Sequence, residues 1–184
     1  MKKNSLRNAQ TAKKWREMPM YEVGQYVVYG SEGVCRIDEI GHPRLSGLDK
    51  TREYYRLTPH NRGGAIYAPV DGKIVMRPVI SREELDALLP TLSTLAPLDD
   101  IPSDVKEAAA YYRTILAEHS CLRLLRLCKA LYLKQAALSR SRRSINSTEL
   151  RSWKAAEEML HSEFGFVLGM PPSQVRSFLA ERLQ

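Results

Sequence analysis

The 184-residue sequence lacks the marks of several protein classes. No uncharged stretch is longer than that from Ala87 to Leu98, which runs for 12 residues and holds Pro90 and Pro97. A spanning helix needs about 20 apolar residues, so none is expected. The basic residues before Glu17 are not followed by the apolar segment of a secretory leader. Cysteine is scarce: Cys35, Cys121 and Cys128 are too few, and odd in number, for a disulfide framework, and the sequence reads as cytoplasmic. There is no glycine-rich phosphate cradle, and His42, His60, His119 and His161 stand in no order that joins an acid, a base and a nucleophile. No catalytic residue, cofactor or metal is therefore assigned, and binding rather than catalysis is expected. Cys121 and Cys128 would share a helix face but lack further ligands at metal spacing, so they read as buried thiols.

What is present is positive charge, unevenly placed. The net charge is +7. Residues 1–20 hold six Lys/Arg against Glu17 alone, residues 21–100 hold nine against twelve acids, and residues 101–184 hold thirteen against eight. Within Ser120–Lys154, Arg123, Arg126, Lys129, Lys134, Arg140, Arg142, Arg143, Arg151 and Lys154 face the single acid Glu149. Such an excess predicts contact with a polyanion.

Periodicity divides the chain into a β-rich half and a helical half. Strands are expected at Tyr21–Tyr29, Val34–Ile40, Glu53–Leu57, Ala65–Pro69 and Lys73–Arg77, with a tight loop at Gly30–Gly33. Five short strands in about 60 residues suggest a small barrel or curled sheet. Ser81-Arg-Glu-Glu84 is a capping box that opens a short helix. Asp104 with Glu107, the Leu122–Tyr132 repeat, Asn146-Ser-Thr-Glu149 and Ser173 then announce four further helices, a small bundle. Trp153 lies on an apolar helix face and reads as core, whereas Trp15 lies in the basic tail. The fold class is α+β in two modules: a basic tail over residues 1–20, a β-module over 21–95, a proline-bearing linker over 96–103 and a helical domain over 104–184.

Tyr21-Glu-Val-Gly-Gln-Tyr-Val-Val-Tyr29 followed by Gly33-Val34, then Ala68-Pro69-Val70 and Arg77-Pro-Val-Ile-Ser-Arg-Glu-Glu-Leu85, resembles the N-terminal module of the CarD/CdnL family of bacterial transcription regulators, a module shared with transcription-repair coupling factors. Tyr112-Arg113, Leu131-Tyr132-Leu133 and the frame Ile145, Glu149, Ala156, Leu160, Glu163, Leu168 resemble the helical domain of that family. The resemblance implies a Tudor-like or SH3-like barrel that binds the RNA polymerase β subunit, and a helical domain that contacts promoter DNA and tunes the open complex. It places the polymerase contact on Ala65, Ile66, Tyr67 and Ala68, with Tyr67 where other members carry arginine. It places the family's minor-groove tryptophan at Ala108 and two family arginines at Ala110 and Tyr111, while Arg113 and Arg151 are retained. Arg140, Arg142 and Arg143, with Lys154, could compensate through phosphate contacts, and Tyr111 is the first substitute for the missing wedge. The alternative is an adaptor that binds polymerase without engaging DNA.

Overall fold

The structure is a computed structural model that describes residues 21–183. The basic tail over residues 1–20, with Trp15, lies outside the described residues. Five strands form an antiparallel sheet: β1 (Tyr26–Tyr29), β2 (Gly33–Gly41), β3 (Tyr54–Pro59), β4 (Ile66–Pro69) and β5 (Met76–Pro78), in the order β4-β3-β2-β1-β5. Helices follow: α1 (Arg82–Leu88), α2 (Val105–Glu118), α3 (Cys121–Ser139), α4 (Ser147–Leu168) and α5 (Pro172–Leu183). The α+β class, β-module first, is thus the observed one.

Local chemistry sets the boundaries. The first strand begins only at Tyr26, later than its alternation suggests. A turn precedes it, closed by Gln25 N–H on Glu22 C=O at 3.2 Å and Glu22 N–H on Gln25 Oε1 at 2.9 Å. The capping boxes at Ser81/Glu84 and Asn146/Glu149 both form, and Asp104 accepts from the Lys106 and Glu107 amides. Gly33 is required twice over: its φ is +74°, and a Cβ there would stand 2.8 Å from the Ser162 hydroxyl on α4.

Among the described residues the contacts fall into two compact units that do not follow chain order: residues 21–26 with 36–73, and residues 27–35 with 74–183. In the first, Ile37, Leu57 and Ala68 are buried and Tyr21 meets Tyr55 edge-on at 6.1 Å. In the second, Leu85, Tyr112, Ile115, Leu125, Leu160 and Phe164 belong to one apolar core. Leu92 and Leu98 enter that core as well. Residues 92–98 are strapped to α3, because Lys129 Nζ donates to the Leu92 and Ser93 carbonyls and Arg126 donates to those of Ala96 and Pro97.

Within the larger unit a buried ion pair binds β5 to the helices. Arg77 grips Glu163 of α4 with two nitrogens, each at 2.6 Å. Glu163 is 3% exposed, and it also accepts from the Ile80 amide at 2.9 Å and the Cys121 thiol at 3.2 Å. Arg77 Nε donates to the His119 carbonyl at 2.8 Å, at the left-handed residue (φ 53°) that ends α2. Burial, then the Glu163 charge, pushes the Cys121 thiol up to about 12, so it stays protonated and serves as a donor. Removing one partner leaves an uncompensated charge, so Glu163→Ala should cost about 3–5 kcal/mol in urea unfolding. A loss below about 1 kcal/mol, the scale of an exposed pair, would make the contact incidental.

His119 itself is buried, with Nδ1 unpartnered among the described residues. Burial, and secondarily Arg77, lowers its pKa below the ordinary 6.5. The folded state therefore favours the neutral ring, and stability is full above about pH 6.5 and declines as pH falls. Burial lowers His161 too, with Arg176 adding to it. His119→Asn, which suits a left-handed residue, should lessen the acid loss below about pH 6.5 in thermal melts, leaving the His161 part. An unchanged pH profile would show that His119 does not contribute.

Candidate functional site

Ile66–Pro69 form β4, at one end of the strand order and, among the described residues, paired only with β3. Ala65 lies just before the strand and is exposed, Ile66 and Tyr67 are half-buried, and Ala68 is buried. The register aligns Leu57 with Ile66, Arg56 with Tyr67 and Tyr55 with Ala68. Because the Val70 amide donates to Glu53 at 2.9 Å, alternation along an antiparallel ladder turns the Ile66 and Ala68 backbone groups toward β3. Tyr67 consequently directs its N–H and C=O to the open side. The Pro69 carbonyl on that side is taken by the Gly72 amide at 2.9 Å. A pocket of about 350 Å³ adjoins the edge, lined by Glu39, His42, Arg44, Tyr54, Arg56 and Tyr67 among others. Nearby Asp38 accepts from Thr58 at 2.5 Å and Arg36 at 2.7 Å, and these bonds, Thr58 first, hold its carboxyl below the usual range.

The helical candidates separate by what their side chains already do. Ala108 belongs to the buried core, only 8% exposed. A tryptophan there, the residue that the resemblance leads one to expect, would meet an overpacking cost of about 1–3 kcal/mol. Tyr111 is held in place, its hydroxyl donating to Asp100 and accepting from Arg123 at 3.3 Å, with the Arg123 guanidinium 5.9 Å from its ring centre. Arg113 is exposed.

The basic stretch splits in the same way. Arg123 forks onto Glu118, Arg126 and Lys129 hold residues 92–98, and Lys134 pairs with Glu149. Glu149 is 3% exposed and also accepts from Tyr112 Oη at 3.4 Å and from the Asn146 amide at 3.0 Å. Arg140, Arg142, Arg143, Arg151 and Lys154 are all exposed. None of these five has an acidic partner among the described residues; Arg151 only returns to the Ser147 carbonyl at 3.3 Å. The cations without an acidic partner among the described residues thus lie in the turn between α3 and α4 and the first turns of α4, not along the whole 120–154 stretch.

Two clusters escaped the sequence reading. Arg77 and Glu163 lie 86 residues apart, and no local pattern links them. Glu149 is legible as a capping residue but not as the partner of Lys134 and Tyr112. Among the described residues no three His, Cys, Asp or Glu side chains are grouped to hold a metal ion. Cys128 is buried and Cys35 is raised to about 11 by burial, so neither is a reactive thiolate. No described helix is long and apolar enough to cross a membrane.

Residues 21–80 match the family model of the CarD-like/TRCF RID domain. No curated protein matches the chain.

Proposed function

We propose, from the match of residues 21–80 to the CarD-like/TRCF RID domain, that this protein is a non-catalytic transcription regulator that docks on RNA polymerase through β4. The match supports an RNA polymerase-interacting, transcription-related role; the β subunit as the surface bound, a Tudor-like character of the module, a cytoplasmic location and promoter DNA as second partner are parts of the proposal. The carrying observation is the open side of Tyr67. A strand added there gains main-chain hydrogen bonds, and the pocket beside Arg56 and Tyr67 receives one of its side chains. The unpaired cations of the α3–α4 turn support phosphate contact with promoter DNA, by which the protein would tune open-complex stability.

The adaptor reading, polymerase binding without DNA, draws on the buried Ala108 and the tethered Tyr111, which leave no wedge at the family's position. A steep fall of DNA affinity with salt separates the two, since only phosphate contacts produce it.

Docking is tested at Tyr67. Proline is tolerated in an edge strand where the lost N–H faces outward, so Tyr67→Pro should keep the fold and lose capture of purified RNA polymerase. Ile66→Pro would instead break the bond toward β3 and damage the module itself. Full capture by a folded Tyr67→Pro variant would remove β4 from the interface.

A further inference from the structure

The turn that carries the unpaired cations contains a backbone feature that stability alone does not explain. Arg142 has φ +55°, in the left-handed region that closes a helix and that glycine occupies without strain. Its amide donates to Ser139 at 3.0 Å and that of Arg143 to Leu138 at 3.0 Å, the paired bonds of such a cap. The chain thus keeps an arginine, between Arg140 and Arg143, at a position made for glycine. Strain of this kind is retained where a side chain is needed.

Two helical turns back from this cap, on the flank of the hairpin, aromatic rings meet. Tyr132 of α3 and Trp153 of α4 pack edge to face, with centroids 6.4 Å apart at 81°. Tyr132 is 43% exposed, and Leu150, one turn before Trp153 on α4, is 42% exposed. Lys154 shares the Leu150 side of α4, and from Asn146 toward the C-terminus the first acid not enclosed in the core is Glu157, one turn beyond Trp153. An exposed aromatic pair with cations on its side toward the turn, and its first free acid only one turn further on, suits a partner that offers both anions and flat apolar surfaces. Single-stranded nucleic acid offers both on every nucleotide, whereas duplex phosphates alone would leave the rings unused.

We propose that the α3–α4 hairpin is a contact for single-stranded nucleic acid, with phosphates on Arg140, Arg142, Arg143 and Lys154 and unstacked bases against Tyr132 and Trp153. It rests on the DNA half of the proposed function and specifies it: the melted strand, rather than the closed duplex, is bound.

The test is fluorescence anisotropy on the full chain with labelled oligo-dT of about 20 nucleotides and a mixed-sequence duplex of the same length, between about 50 and 200 mM salt. The wild type should favour the single strand. Tyr132→Ser should weaken that binding roughly 5- to 150-fold, the range for losing one stacked base, and Tyr132→Phe should restore it. Arg142→Gly should reduce the salt slope by about 0.7 while raising the melting temperature by about 2–4 °C. Equal or tighter duplex binding, unmoved by Tyr132→Ser, overturns this inference and leaves the DNA reading standing. Undiminished affinity in a stabilised Arg142→Gly variant overturns the role of the turn. Failure to bind either probe at low salt overturns the inference and the DNA half of the proposed function together.

Discussion

The grip of Arg77 on Glu163 is the constraint on which the larger unit depends. β5 has three residues and α1 seven, neither enough to hold itself in place. The carboxylate takes the guanidinium, the Ile80 amide and the Cys121 thiol together, and the same guanidinium holds the His119 carbonyl at the end of α2. One buried anion thereby fixes the last strand, the entry to α1, the start of α3 and the junction between α2 and α3. The register Val28–Arg77 passes this constraint on to β1. A single buried pair of this kind specifies an arrangement more than it adds net stability, because desolvation offsets most of the attraction.

The same economy governs the surface. Of the basic residues between 120 and 154, those nearer the N-terminus are spent on carbonyls and carboxylates of the bundle: Arg123 on Glu118, Arg126 and Lys129 on residues 92–98, Lys134 on Glu149. Those nearer the turn have no acidic partner among the described residues. Net charge along a sequence therefore overstates the surface available to a polyanion, and the distinction lies in which cations have structural duties.

The elements were legible in the sequence where the signal is local. Both capping boxes, the Asp104 cap and the order of five strands followed by helices needed only spacing and propensity, and β4 was placed to within a residue. What was not legible is long-range. The Arg77–Glu163 pair joins positions with no shared periodicity, Glu149 reads as a capping residue alone, and Leu98 stands in a segment that reads as a proline-bearing linker although it enters the core. The burial of Ala108 is not legible either, because a small residue near the start of a helix gives no sign of which side is covered. The family match reaches residues 21–80, so the helical half is read from its own chemistry.

Hydrogen exchange on the full chain tests the account most directly, comparing the free protein, the protein with RNA polymerase, and the protein with polymerase and melted promoter DNA. Amides of residues 65–70 should slow with polymerase alone, and those of residues 139–154 only once DNA is added. Exchange at residues 65–70 that stays unchanged in a demonstrated complex with polymerase would contradict it.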